Sequence, residues 1–109
     1  MSDRSIASDS KPLTHGSLAA HCNSIFSILG VTAEPVNLEL IEVSELKRSG
    51  RQESFSITFQ GPAAFVLEQR IYEIEHPILG RAELFLVPVS RDRNGVCYEA
   101  VFNHLLLSN

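Results

Sequence analysis

The sequence predicts a mainly β fold, an antiparallel small barrel or sandwich of about six strands with one short N-terminal helix. Apolar and polar residues alternate over several short segments, which is typical of strands that bury one face. Turn residues separate these segments at steady intervals, so we expect short connections and antiparallel pairing. The most apolar region, residues 81–107, places two apolar runs around Asn94-Gly95. This is typical of a β-hairpin, because Asn and Gly accept the positive φ that a tight turn needs.

The composition indicates one globular domain. The chain has 109 residues, of which 44% are hydrophobic and 20% charged. Its net charge of −4 argues against a nucleic-acid partner, because binding to phosphate needs a basic surface. Lys47, Arg48 and Arg51 form a basic cluster, but the neighbouring Ser49-Gly50 indicates a solvated turn.

The sequence predicts a cytoplasmic protein with no membrane partner. No apolar run approaches the length of a membrane span, and residues 1–11 lack the apolar core of a secretory signal. Cys22 and Cys97 are therefore expected to stay reduced. The two do not form a disulfide framework, and no metal-ligand spacing surrounds them.

The N-terminal segment is expected to differ from the rest of the chain. Residues 1–12 are rich in Ser, Asp and Lys, so we predict a mobile tail followed by a single β-rich domain over residues 13–109. Thr14 is a candidate cap for a short helix over residues 15–23, with Asn23 as its expected end. One face of this helix carries apolar side chains at helical spacing: Leu18, Cys22 and Ile25.

The first strands are predicted from β-branched and alternating segments. Residues 25–31 form one candidate strand, ended by Gly30. Residues 36–43 form the next, and the alternation of apolar positions shifts by one residue at Leu40-Ile41. Such a shift is what a β-bulge produces, so we predict a bulge there. Residues 47–51 are predicted to be a turn.

The later strands differ in how clearly their faces are defined. Residues 54–59 alternate cleanly, and Gly61-Pro62 ends that strand. Residues 63–69 are predicted as either a short helical turn or an irregular connection. The strand over residues 70–75 directs Tyr72 and Ile74 inward.

The first strand of the C-terminal hairpin is harder to orient. Residues 84–89 are apolar on both faces, which is typical of a strand that is buried on both sides. Pro88 lacks the N–H of a ladder donor and favours an edge strand or a bulge instead. The sequence leaves these alternatives open.

Several segments of the second half of the chain together form a recognisable pattern: Phe55-Ser-Ile-Thr-Phe-Gln-Gly-Pro62, Leu67 with Gln69 and Tyr72, His76 with Leu79-Gly80, Leu84-Phe-Leu-Val-Pro-Val89, and Tyr98-Glu-Ala-Val-Phe-Asn103. With these segments, about half of the chain resembles an uncharacterised family of small bacterial β-rich domains, often encoded near phage-tail-like collar proteins. The preceding strand at Val36 to Val43 resembles that family less strongly. A Pro-Gln-Gly turn of the family is replaced here by Glu68-Gln69-Arg70. The resemblance implies no activity and no catalytic residues.

Candidates for nucleophilic catalysis are poorly supported. Cys97 and His104 lie an odd number of residues apart in one predicted strand, so they face opposite sides. Cys22 follows His21, but adjacent residues of a helix do not face each other. We therefore expect both cysteines to be small core residues.

Acid–base, metal and phosphate sites are also not predicted. Glu73 and Glu75 share a strand face next to His76, but a solvated strand face has the same pattern. No glycine-rich loop opens a helix, as a phosphate site would require. The histidines show no metal-ligand spacing: His15, His21, His76 and His104.

Two amides close strong strands, namely Gln60 and Asn103. Buried amides at strand ends usually satisfy backbone groups that lack a partner in the ladder. We expect that structural role for both, in preference to ligand binding.

These observations predict no catalytic, cofactor-binding or metal-binding residues. We expect a non-enzymatic protein-interaction or structural accessory module, and the resemblance suggests a phage-tail-like assembly. A protein partner is expected, by strand addition at an exposed edge, and a homo-oligomer is left open. Leu105-Leu106-Leu107 is either a contact patch or the last turn of the core. The alternative function is a small-ligand-binding β-barrel, which would be excluded by an interior filled with aromatic side chains: Phe55, Phe59, Phe85 and Phe102.

Overall fold

The computed structural model describes residues 13–105. The predicted tail over residues 1–12 lies outside these described residues, as do Leu106 and Leu107. The described residues form one helix and seven strands. They are α1 His15–Ala20, β1 Ile25–Leu29, β2 Val36–Val43, β3 Lys47–Ser49, β4 Gln52–Gly61, β5 Arg70–His76, β6 Gly80–Asp92 and β7 Gly95–Leu105.

Six of the strands close into an antiparallel barrel. Their order around the wall is β2-β1-β5-β6-β7-β4, and β4 pairs back with β2 to complete the ring. The short strand β3 pairs with the first residues of β4, beyond the region that β2 covers. The mainly β prediction is therefore confirmed, and of the two predicted architectures the chain adopts the barrel.

Bulges occur where the sequence indicated irregular strands. In β2, Leu40 faces Phe59 and Glu42 faces Thr58, so Ile41 is the extra residue of a bulge. The predicted bulge at Leu40-Ile41 is thereby confirmed. In β6, Pro88 faces Tyr98 and Ser90 faces Cys97, which makes Val89 the extra residue of a second irregularity. Pro88 thus lies at a bulge, where the missing N–H is tolerated.

The N-terminal helix is shorter than the sequence suggested. It ends at Ala20, not near Asn23, and Asn23 adopts a positive φ of 74°. Thr14 is the predicted cap: its hydroxyl accepts the N–H of Ser17, and the Ser17 hydroxyl in return accepts the N–H of Thr14. The side chain of Leu18 is fully buried against the strands.

Other element boundaries also shift. The first strand ends at Leu29, before the predicted Val31. The predicted turn over residues 47–51 is wrong in part, because Lys47–Ser49 forms β3 and the turn is confined to Gly50 and Arg51. The sequence did not indicate β3, because its residues are all polar and show no alternation of apolar and polar positions. Residues 63–69 form an irregular connection without a helical turn.

The C-terminal hairpin forms, with its turn one residue earlier than predicted. Asp92 faces Gly95, so Arg93 and Asn94 form the turn, and the N–H of Asn94 donates to the Asp92 carboxylate at 2.8 Å. Gly95 rather than Asn94 has the positive φ, at 147°. A Cβ at this position would collide with the carbonyl oxygen of Gly61. Glycine is therefore required here by both backbone angle and space.

The barrel interior is filled by side chains. Tyr72 and Ile74 point inward as predicted, and Phe26 packs edge-to-face on Phe59 with ring centroids 5.2 Å apart. Phe55 is buried and stacks on Phe102. Phe85, in contrast, lies on the outer face with 49% of its surface exposed, so it does not contribute to the interior. Because residues 84–89 are apolar on both faces, the sequence does not indicate which side of the strand faces the interior.

The barrel wall opens between two neighbouring strands. From Gly80 to Leu86, β6 pairs with β5, and from Val87 onward it pairs with β7. From Ala100 to Leu105, β7 pairs with β4 on one side. Among residues 13–105, no strand pairs with the other side of that segment. The end of β7 is therefore an edge in the barrel wall.

Candidate functional site

The structure separates the residues that were considered for acid–base chemistry. Glu73 and Glu75 point outward from β5, where their side chains are 48% and 45% exposed, and both approach Arg81 at 3.5 and 3.3 Å. His76 points inward and is only 4% exposed. The two carboxylates and the imidazole therefore do not converge on one site.

The hydrogen bonds of His76 assign it a structural role. Its Nδ1 accepts the backbone N–H groups of Ile78 and Leu79, at 3.1 and 3.2 Å, so the ring proton lies on Nε2. Nε2–H then donates to the Ser24 hydroxyl at 3.0 Å, and Ser24 in turn donates to the carbonyl of His21. A serine nucleophile needs the reverse, an unprotonated nitrogen that accepts the hydroxyl proton. His76 therefore fixes the turn after β5 and does not activate Ser24.

Burial also affects the titration of His76. Its ring lies 4.6 Å from that of Phe26 and 4.9 Å from that of His21. Desolvation in this position lowers the pKa of His76, and the nearby His21 lowers it further. The neutral form that the hydrogen bonds require is thus the form that the surroundings favour.

The cysteines occupy unremarkable positions. Cys97 points outward opposite Gln60, whereas His104 lies on the other face of β7, so the two do not form a dyad. Cys22 approaches the carbonyl of Leu40 at 3.7 Å. Both cysteines are partly exposed, contrary to the expected core positions. Within residues 13–105, no group of three or more His, Cys, Asp or Glu side chains is placed to hold a metal ion.

The two strand-end amides do not have the structural role that we expected. Asn103 is exposed on the outer face of β7, and Gln60 lies on the outer face of β4 beside the start of β7. Neither side chain makes a hydrogen bond to another described residue. Neither amide therefore satisfies a buried backbone group.

The basic cluster is an exposed hairpin. Lys47 and Arg48 lie on β3 and Arg51 lies in the turn after it, all exposed. Arg48 forms an ion pair of 2.8 Å with Glu53. The cluster is thus solvated, although Lys47 and Arg48 lie on a strand and not in the predicted turn.

The outer surface of β5 and β6 carries an exposed apolar pair next to opposed carboxylates. Ile71 and Phe85 face each other across the two strands and are 61% and 49% exposed. Two residues further along the same face of these strands, Glu73 directly faces Glu83. Like charges in such a position destabilise a strand pair, and large apolar side chains gain nothing from exposure. We call these four residues the β5–β6 face.

A second candidate surface lies at one end of the barrel. A cleft of about 260 Å³ is lined by Val31, Thr32, Phe65, Val66, Leu67, Glu68, Arg70 and Tyr72. We call it the barrel-end cleft. Apolar side chains dominate this lining, and the Arg70 guanidinium lies 4.8 Å from the centre of the Tyr72 ring. Apolar walls with a few polar groups are typical of ligand sites.

Two tyrosines hold the loop that forms this cleft. The Tyr98 hydroxyl accepts the N–H of Leu67 at 2.8 Å, and the Tyr72 hydroxyl donates to the carbonyl of Glu68 at 2.5 Å. Burial raises the pKa of Tyr72, so its hydroxyl stays protonated and able to donate. The loop over residues 63–69 is therefore anchored in place.

Comparison with known proteins gives a family without an assigned activity. The model of the DUF6916 family, described as a domain of unknown function, matches residues 13–102. No curated protein matches the chain, and no solved structure does. Within residues 13–105, no helix has the length and apolar character to cross a membrane.

Proposed function

The chain belongs to the DUF6916 family, a domain family of unknown function, and we propose that it is a non-enzymatic module that binds another protein through its β5–β6 face. The exposed pair of Ile71 and Phe85 carries the proposal. These side chains lie on the outside of a barrel whose interior is already filled, so they add nothing to its core. Burial against a partner would remove their apolar surface from water.

The charges beside this pair indicate the chemistry of the partner. Arg81 approaches both Glu73 and Glu75, whereas Glu83 has no cation within ion-pair distance among the described residues. A Lys or Arg of the partner, placed next to an apolar patch, would neutralise Glu83 and relieve its repulsion with Glu73. We therefore propose an apolar partner surface with a basic rim.

The resemblance of residues 55–103 to bacterial domains encoded near phage-tail-like collar proteins supports a structural role in such an assembly. Components of a phage-tail-like particle are therefore the first partners to test. We place this binding in the cytoplasm, where the free thiols of Cys22 and Cys97 would stay reduced.

The test compares two matched double variants in a cross-linked affinity capture from a lysate of the source organism. Ile71→Ser with Phe85→Ser removes the apolar pair. Ile25→Ser with Ile78→Ser removes two other exposed apolar side chains, 48% and 56% exposed, and serves as the control. We expect mass spectrometry to identify one partner in stoichiometric amount with the wild type and the control, and a loss of at least about tenfold with the first variant.

The Glu83→Gln variant tests the charge argument. It should weaken the same complex and make the remaining binding less dependent on salt, because an ion pair is screened by salt and a neutral amide is not. The proposal is contradicted if the folded wild-type protein captures no partner. It is equally contradicted if the Ile71 and Phe85 variant captures the same partner as the control does.

The barrel-end cleft favours a second function, the binding of a small ligand. Phe65 and Val66 offer an apolar wall, and Arg70 at the rim offers a guanidinium. An aromatic carboxylate fits that combination, with its ring on the wall and its carboxylate on Arg70. Titration with phenylacetate, followed by amide chemical shifts, should perturb Val31, Val66 and Arg70 in the wild type. Arg70→Gln should abolish the effect, and an unperturbed wild type would exclude this ligand class.

A further inference from the structure

The unpaired end of β7 has backbone groups that are directed outward from the wall. Both backbone groups of Ser56 on β4 point away from β7, because its N–H donates to the Ser44 hydroxyl and its carbonyl accepts the N–H of Ser44. Ser56 faces Val101. In an antiparallel ladder, such a pair exchanges no hydrogen bonds, so the N–H and carbonyl of Val101 also point away from β4.

The same orientation repeats at every second residue of β7. Asn103 and Leu105 therefore direct their N–H and carbonyl groups to the open side, as Val101 does. Phe102 and His104 direct theirs toward β4. No described residue pairs with the open side at these positions. The end of β7 thus presents an alternating row of free donors and acceptors, which is a template for another strand.

This edge has none of the features that usually prevent pairing. Residues 100–105 contain no Lys, no Pro, and no Asp or Glu, although 20% of the chain is charged. Val101 and Leu105 are 61% and 69% exposed on its outer face. Lys47 and Arg48 lie on β3, on the far side of β4 from this edge.

We propose that two copies of the chain pair through this edge, as a two-fold antiparallel dimer centred on Asn103. Residues that face each other across the two copies must lie on the same face of the joined sheet. An odd-numbered residue, which is on the outer face, must therefore face another odd-numbered residue, so that the two numbers sum to an even number. The register centred on Asn103 meets this condition and uses only residues with free backbone groups. It makes one continuous sheet from β4 and β7 of both copies.

The edge is complementary to itself in that register. Asn103 faces Asn103 of the second copy, where the amides can bond to each other. Val101 faces Leu105 of the second copy, twice by symmetry, and each facing pair exchanges both of its backbone hydrogen bonds. On the inner face, Phe102 meets His104 of the second copy. The edge therefore supplies the uncharged, alternating strand that it needs as a partner, which favours a second copy over an unrelated strand.

Sedimentation velocity of the full chain tests the dimer. An interface of one short strand pair is small, so we expect a weak dimer whose population rises between about 10 µM and 1 mM protein. Asn103→Pro should abolish it, because proline removes an N–H on the open side and none from the ladder with β4. Val101→Lys should abolish it through an unpaired charge at the edge.

Ile71→Lys is the matched control. It introduces the same charge at an equally exposed position of the β5–β6 face, and it should dimerise as the wild type does. This control also separates the dimer from the proposed partner binding, which uses the other surface. A wild type that stays monomeric at about 1 mM overturns the proposal. So does a dimer that persists in both edge variants.

Disulfide formation tests the register. In a Cys22→Ser, Cys97→Ser background, Asn103→Cys faces its own copy at roughly 5.5 Å between Cα atoms, within the range of a disulfide. Val101→Cys is about four residues from its own copy, roughly 13 Å, and should not cross-link. Mild oxidation should therefore give a covalent dimer with Asn103→Cys alone. Equal yields from both variants, or none from Asn103→Cys, overturn the two-fold register.

Discussion

At the scale of single residues, the burial of His76 leads us to expect that the stability of the fold depends on pH. His76 is neutral in the fold, where its pKa lies below the ordinary 6.5 because of burial and His21. Below about pH 6.5, His76 therefore binds a proton more readily in the unfolded chain than in the folded one. The free energy of unfolding decreases as the pH falls from about 6.5 through the folded pKa. Each unit of pKa difference corresponds to about 1.4 kcal/mol.

Urea unfolding between pH 8 and pH 5 should show this loss in the wild type. His76→Gln should unfold more easily at pH 8, since its amide does not fit both backbone donors as the ring does, but the gap to the wild type should narrow as the pH falls. The other histidines are unchanged and provide an internal control. A gap that stays constant with pH would contradict the assignment of His76 as the titrating group.

Two glycines separate backbone strain from steric collision. Gly50 has a φ of 61° and open space around it, whereas Gly95 has a φ of 147° and the Gly61 carbonyl where a Cβ would be. Gly50→Ala should therefore cost only left-handed strain, about 1 kcal/mol. Gly95→Ala adds a collision with backbone and should lower the free energy of unfolding by about 2–4 kcal/mol. Similar values for the two in chemical denaturation would contradict this account.

At the scale of elements, the hydroxyls of Tyr98 and Tyr72 connect the irregular loop to the barrel. Tyr98→Phe removes the acceptor of the buried Leu67 N–H and should cost about 1–3 kcal/mol. The barrel-end cleft depends on this loop, so amide exchange at residues 65–69 should accelerate while that of β4 stays slow. Tyr72→Phe removes a donor to the Glu68 carbonyl and should have a smaller effect. Uniform acceleration across the barrel would contradict a local role for Tyr98.

Local alternation explains which elements were predictable. The strands with one wet face, such as residues 54–59 and 70–75, were oriented correctly, and the phase shift at Leu40-Ile41 located a bulge. The face that Phe85 occupies could not be predicted, because its neighbours along the strand are apolar on both faces. Residues 47–49 could not be predicted as a strand, because a fully exposed strand has no alternation of apolar and polar residues. The predicted strand over residues 70–75 stops before His76, whose ring packs against Phe26, a residue distant in sequence.

At the scale of the whole molecule, the candidate surfaces depend on pairings between distant segments. The outward direction of Ile71 follows from the alternation of faces along its own strand. That Phe85 lies opposite it depends on the register between β5 and β6. The open edge of β7 arises because β6 changes partner at Val87. No local pattern specifies either fact, so an exposed edge was predicted without its location.

The pairing that closes the barrel leads to a prediction about deletions in its wall. The ring closes through β2 and β4, and Ile41 is the extra residue in that pairing. Deleting Ile41 leaves Leu40 and Val43 on the inner face, so the chain should still fold and unfold cooperatively, with some loss of stability from lost curvature. Deleting Thr58 from β4 instead reverses the faces of every residue after it, including the buried Phe59, and should abolish folding. Far-UV circular dichroism and urea unfolding distinguish the outcomes. Failure of the Ile41 deletion to fold would mean that the bend at the bulge, and not the facing of side chains alone, is required for β2 to reach β4.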